Sequence, residues 1–258
     1  MIGVSGATAR YRTAITELPL RARVVEQLEG AIVVVDGAPG WPARSRVALQ
    51  GRASALLIAH PVAVDDDELA ALEAAAGSVP VVLDRPWLRA DLVADAAAPR
   101  AGVDAARPVT VDTVAIPGEL GAMVRESLGW LRMLAGGELE LRAAAAVPHG
   151  LLALLEEPVS GRAATLTAST LVGRGGARLR AQAVGETRLE IDLDAATDAR
   201  SVDVSTAEGT LRRPRRRESS ARVALRRAID AISRGDGTGD LRAFRHDAAL
   251  AASVFSAG

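Results

Sequence analysis

Imidazole is the side chain best suited to moving protons near neutral pH, and this chain carries it at three positions, His60, His149 and His246. His60 stands in Ala59-His60-Pro61, directly after the apolar run Ala55 to Ile58 and before Asp65, Asp66 and Asp67. Proline cannot continue a β-ladder, so a strand ends there. The three carboxylates suit the positive end of a helix. A strand, a tight turn and a helix in that order place His60 where open α/β sheets hold ligands. A lone histidine beside a strand end is more often a hydrogen-bonded structural residue, and both readings stay open. His149 follows Pro148 in an expected loop, and His246 and Asp247, adjacent on a helix, point apart.

Missing residue types exclude more than present ones. The 258 residues contain no Lys and no Cys, and all basic side chains are Arg. A Schiff base, a lysine acid and a P-loop lysine are therefore impossible. Disulfides and thiol chemistry are excluded too, and with the histidines standing alone no metal site is expected. Net charge is −1, so nothing global points to nucleic acid or membrane. The strongest local charge is Arg212-Arg213-Pro214-Arg215-Arg216-Arg217, without the interleaved aromatics that stack on bases. It reads as a solvated junction or a surface for an acidic partner. No stretch reaches the roughly 18 apolar residues of a membrane span, and a cytoplasmic location is expected.

The elements that must position these groups come in two kinds. Apolar content is 49% but aromatic content only 2%, so the core rests on Ala, Val and Leu. From Ile2 to Ala97, short apolar runs alternate with helical stretches, which predicts a parallel sheet wound in βαβ units. Pro99 to Pro108 is an Ala/Pro/Arg stretch and the expected boundary, giving domains 1–107 and 108–258. Beyond it the period changes. Glu119 to Ala135 places Leu120, Val124, Leu128, Leu131 and Leu134 on one helical face. Strands with strict alternation follow: Ala164, Leu166 and Ala168 oppose Thr165, Thr167 and Ser169, and Leu189, Ile191 and Leu193 oppose Glu190, Asp192 and Asp194. That pattern predicts an open, mainly antiparallel sheet with one wet face. Helices capped by Ser219-Ser220 and Asp240 close the chain. The fold class is α/β: a truncated Rossmann-like domain followed by an α+β domain.

This order resembles the Gfo/Idh/MocA family, the relatives of glucose–fructose oxidoreductase and inositol dehydrogenase. AIVVVDGAPGWPARSRVALQGRASALLIAHPVAVDDDELAALEAAA resembles its stretch from the third strand through the Glu-Lys-Pro turn. LGAMVRESLGWLRMLAGG resembles the helix carrying its catalytic Asp and His, and RVALRRAIDAISRGDGTGDLRAFRHDAALAASVFSAG its C-terminal helix pair. The resemblance implies NAD or NADP as cofactor, a glycine fingerprint after the first strand, and a homo-oligomer (dimer or tetramer) joined through the C-terminal sheet.

Position by position, the family's chemistry is altered. Gly6 fits the first fingerprint glycine, but Thr8 falls at the second and Tyr11 at the third, and their side chains are expected in the pyrophosphate path. The span from Gly6 to Ala31 is short by one helix, with Glu26 the nearest counterpart of the acidic ribose contact. Pro61 matches the proline of the Glu-Lys-Pro turn, while His60 takes the lysine's place. In the helix, Ala122 stands for the Asp and Glu126 for the His. Glu126 can act as a base if burial raises its pKa; with Arg125 it can equally form a solvated face. Three functions remain open. The first is a binding, regulatory or subunit-interaction protein on the family scaffold, with a small-molecule or protein partner. The second is an altered NAD(P)-dependent oxidoreductase acting on the CH-OH group of a sugar or polyol, with His60 and Glu126 as acid and base. The third is a non-redox binder of a small ligand.

Overall fold

Five apolar runs become the strands of one sheet: β1 (Ile2–Ser5), β2 (Ala22–Val24), β3 (Ile32–Asp36), β4 (Ala55–Ala59) and β5 (Val81–Asp84). All neighbours pair in parallel, in the order β2-β1-β3-β4-β5. The computed structural model describes residues 1–97, 108–171, 175–214, 216–235 and 237–258, and these fall into two compact units. Met1–Arg89 with Glu218–Arg245 form the first, and Ala90–Arg217 with His246–Gly258 the second. The expected divide after residue 107 falls at the end of the stretch 98–107, outside the described residues.

Parallel strands need both faces covered, and in the first unit they are. Val4, Ile32, Val34, Ala55, Leu57 and Val82 face α1 (Ala9–Thr16) and α6 (Ser220–Arg234), packing with Tyr11, Ala14, Ile15, Leu225 and Ile229. Val33, Val35, Leu56, Ile58, Val81 and Leu83 face the other way, onto α2 (Trp41–Gln50), α3 (Asp66–Ala76) and the first turn of α7 (Asp240–Ala257). The expected loss of a helix is located between β2 and β3, where residues 25–31 connect the strands without one.

The second unit contains α4 (Ala90–Ala97) and an eight-stranded sheet of order β13-β12-β11-β10-β6-β9-β8-β7. Its strands are β6 (Val109–Ala115), β7 (Glu140–Val147), β8 (Gly150–Glu157), β9 (Arg162–Thr170), β10 (Arg178–Ala183), β11 (Arg188–Asp194), β12 (Ala199–Thr206) and β13 (Gly209–Arg212). Among the described residues of this sheet, only the β6–β9 pair is parallel. Leu151, Ala153, Leu155, Ala164, Leu166, Leu179 and Ala181 are buried, on the face covered by α5 (Leu120–Ala135). The opposite face carries Thr165, Thr167, Arg180 and Glu190, as the alternation requires. The expected loop at His149 is the two-residue turn of the β7–β8 hairpin, with His149 at φ +67°. Among the described residues no helix is long and apolar enough to cross a membrane.

Candidate functional site

In the first unit the chain leaves β1 toward β2 on one side and runs from β3 to β5 on the other. The switch point is therefore the carboxyl end of β1 and β3, where doubly wound sheets bind ligands. Gly6 sits there at φ +70°, and a Cβ on it would come within 2.6 Å of the Val34 carbonyl oxygen. Only glycine makes that turn at that distance. Gly37, after β3, is equally confined: a Cβ would lie 2.5 Å from the Ala59 oxygen. The first turn packs the end of β1 on β3, and the second packs the end of β3 on β4.

Tyr11 departs from the expectation. Its ring does not stand out over the turn but is fully buried beneath α1, among the side chains facing α1 and α6. The third fingerprint glycine normally lets helix and strand approach; here a phenol fills that seat. Its hydroxyl donates to Asp84 Oδ2 at 2.7 Å, and Asp84, ending β5, is itself buried. Burial first, and then the Asp84 charge, push the Tyr11 phenol well above its ordinary range. The pairing explains the inward turn: a buried carboxylate needs a donor, and Tyr11 supplies one. Thr8 is the exposed residue preceding α1, and its side chain makes no capping bond.

His60 lies one residue beyond β4 at φ +51°, its N–H donating to the Asp84 carbonyl at 3.1 Å. The side chain is 45% exposed, with Nε2 3.9 Å from Asp84 Oδ2, too far for a hydrogen bond. Instead Nε2 accepts from Arg10 Nη1. Arg10 Nη2 donates to Ser220 Oγ at 2.6 Å, next to Ser219, which caps α6 by accepting from the Arg222 N–H at 3.3 Å. Ser220, Arg10 and His60 thus form one hydrogen-bonded line over the carboxyl edge, with Asp84 and Tyr11 beneath it.

Gly6, Thr8, His60 and Pro61 lie at this edge of the first unit, whereas Glu126 belongs to the second. Glu126 and Arg125 correct the expectation of a solvated helix face. They are 4% and 7% exposed, with Arg125 Nη2 3.3 Å from Glu126 Oε1. The burial that a carboxylate base needs is present at Glu126, with the neighbouring guanidinium of Arg125 beside it on α5. Ala122, in the Asp position, is exposed. Arg10, Asp84 and Ser220 were not foreseen. The signal for Asp84 was available: a carboxylate at the carboxyl end of a parallel strand is placed for site chemistry.

The residues meet a dinucleotide's demands only at Gly6. Thr8 occupies the glycine seat where backbone must approach a pyrophosphate, and the first turn of α1 carries Arg10, committed to His60 and Ser220. Glu26, exposed and two residues past β2, has its carbonyl engaged by Ser5 Oγ at 3.1 Å. The fingerprint cradle is not reproduced. Among the described residues, no cluster could hold a metal ion. Within the arginine-rich segment, Arg212 pairs with Asp203 at 2.8 Å and Arg216 with Asp95 at 2.6 Å. Arg215 lies outside the described residues.

No family model and no curated protein matches the chain by sequence. Solved structures do match in shape. A point mutant of KijD10, a 3-ketoreductase from Actinomadura kijaniata in complex with TDP-benzene and NADP, is similar over 99% of this chain and 96% of its own, at 18% identity and a TM-score of 0.70. GnnA, a UDP-N-acetylglucosamine 3-dehydrogenase from Acidithiobacillus ferrooxidans, is similar over the same shares at 19% identity and 0.73. The dehydrogenase MviM from Clostridium difficile covers 100% of this chain and 99% of its own at 7% identity and 0.71. At such identities the likeness establishes the fold, which is that of the Gfo/Idh/MocA-type dehydrogenases.

Proposed function

We propose that this chain, built on the fold of Gfo/Idh/MocA-type dehydrogenases, uses it as a binding, regulatory or subunit-interaction protein and does not transfer hydride in the family's manner. The observation carrying this reading is the occupied carboxyl edge. Arg10 bridges His60 and Ser220 over it, and Tyr11 fills the space beneath α1. The absence of lysine from the whole sequence removes the family's acid.

Titration calorimetry of the whole chain with NAD, NADH, NADP and NADPH tests the reading. No heat of binding is expected with nucleotide up to the millimolar range. Submillimolar affinity for any of the four would overturn it.

A second reading is an altered NAD(P)-dependent oxidoreductase acting on the CH-OH group of a sugar or polyol. What favours it is the kind of neighbour found, a 3-ketoreductase solved with NADP and a sugar-nucleotide 3-dehydrogenase, together with the 3.9 Å approach of His60 to Asp84. His60 is then the proton-transfer group, and Asp84 would stabilise its charged form. The same titration separates the two. A non-redox binder of a small ligand is left if nucleotides fail and a sugar or organic acid binds.

The assembly we propose is a homo-oligomer, dimer or tetramer, through the outer face of the second unit's sheet. On β8, Leu152 and Leu154 are 45% and 44% exposed, beside the Thr165 and Thr167 row of β9 and, farther across the same face beyond β6, the Arg178–Asp192 and Arg180–Glu190 pairs. An apolar strip flanked by balanced charge suits a second copy of the same face. Light scattering should give a multimer for the native chain and a monomer for Leu154→Glu. A monomeric native chain at micromolar concentration would refute the assembly.

A further inference from the structure

Arg10 joins three elements at one point. From the first turn of α1 it reaches the turn after β4 through His60 Nε2 and the start of α6 through Ser220 Oγ. The first of these bonds has a chemical condition. A guanidinium has donors and no acceptor, so His60 can take this bond only while Nε2 keeps its lone pair. Imidazole is also the side chain whose ordinary titration lies between about pH 5 and 8.

We infer that Arg10 is a proton-released latch: protonation of His60 breaks its bond to Arg10 and turns the imidazolium toward Asp84, loosening the first turn of α1 from the turn after β4 while Tyr11 stays seated on Asp84.

The charges around His60 support an exchange of partners rather than a simple loss. α1 presents Arg10 and the neutral phenol of Tyr11. From β5 comes the Asp84 carboxylate, whose Oδ2 lies 3.9 Å from Nε2 and already accepts from Tyr11. α6 presents the uncharged Ser220. At the end of β3, Asp36 turns its carboxylate to the Ala38 N–H at 3.1 Å. Once His60 carries a proton, two cations face each other where a donor met an acceptor, and one anion lies within reach. Nε2–H can then donate to Asp84 over a small rotation, while Arg10 moves to solvent with Ser220 its remaining partner. The device suits its location, because α1 begins at the switch point where a ligand would enter. His60 is 45% exposed, so protons reach it without unfolding.

Amide hydrogen exchange on the whole chain tests this independently of whether any nucleotide binds. The probes are the α1 amides, followed from about pH 8 to pH 5 and corrected for intrinsic exchange rate. In the native chain their exchange should quicken roughly three- to tenfold as His60 protonates, the scale expected for one lost hydrogen bond. His60→Gln retains an acceptor but cannot be protonated in this range, so its α1 exchange should be slow and flat. Arg10→Ala should be fast and flat. A native chain without the step, or a His60→Gln variant that still shows it, would overturn the latch. Arg10→Ala with native protection at high pH would do so too.

Discussion

Replacing Tyr11 with alanine should lower the stability of the first unit by about 3–5 kcal/mol, the usual cost of truncating a fully buried aromatic ring. The ring has no exposure and packs against both α1 and α6 side chains, so its removal leaves a void that helices on a sheet cannot readily close. The same change strips the buried Asp84 of its 2.7 Å donor, adding the penalty of a poorly satisfied carboxylate. Tyr11→Phe separates the two contributions, since it keeps the ring and should cost only about 1–3 kcal/mol. Native-state exchange at the β4 amides reads the first unit alone, which matters because a two-unit chain need not unfold in one step. A loss below about 1 kcal/mol in the alanine variant would show that the ring does not hold the helix to the sheet.

The alkaline limb gives an independent check. The Tyr11 phenol is raised above its ordinary value by burial and by Asp84, so the folded state holds its proton when the unfolded state has released it. Its contribution is fully present below about pH 10, the ordinary phenol value. It is lost as pH rises beyond that, at up to about 1.4 kcal/mol per pH unit. Tyr11→Phe should abolish this slope.

The second large effect belongs to the second unit. Asp247 has no exposure and receives Arg132 in a two-pronged bond, Nε to Oδ1 at 2.8 Å and Nη2 to Oδ2 at 3.2 Å. Asp247→Ala should cost about 3 kcal/mol, because it leaves a guanidinium facing an emptied site. The low end of the usual range applies, since Arg132 is 21% exposed and can recruit water. Asp247→Asn, which keeps one acceptor and the shape, should lose less. The measurement is exchange at the buried α5 amides. Equal losses for the two variants would mean that the carboxylate charge alone, and neither the shape nor the acceptor that Asn retains, fixes α7 against α5.

Much of the fold could be read from the chain because its signals are local. Ala55 to Ile58 announces a buried parallel strand by unbroken apolarity, and Leu189, Ile191 and Leu193 announce a one-faced strand by strict alternation. β7 and β8 were hidden for opposite reasons. β7 is an alanine-rich, mostly exposed strand with a register shift between Leu141 and Ala143. In β8, Leu152 and Leu154 point outward as apolar as their buried neighbours, which erases the period. The candidate site was legible as a place, through His60-Pro61, but not as a set of contacts. Tyr11 and Asp84 are 73 residues apart, and Arg10 and Ser220 are 210 apart. No spacing rule links them; only the winding of the sheet does. Arg125 and Glu126 misled because adjacent charges on a helix are usually solvated.

The first unit is assembled from two segments far apart in the chain, Met1–Arg89 and Glu218–Arg245, and that has a consequence in time. A ribosome adds about 5–20 residues per second, so β1 to β5 emerge roughly 7 to 27 seconds before α6 does. Throughout that interval Val4, Ile32, Val34, Leu57 and Val82 lack the Leu225 and Ile229 side chains that later pack with them, and β2 and β5 stand as open edges. The unit can finish folding only by closing a loop of well over a hundred residues, an ordering cost that grows slowly with length but delays the reward. The nascent chain is therefore a species that must be shielded from its own kind. A domain whose covering helix is synthesised so late depends for its yield on what holds that bare face in the meantime.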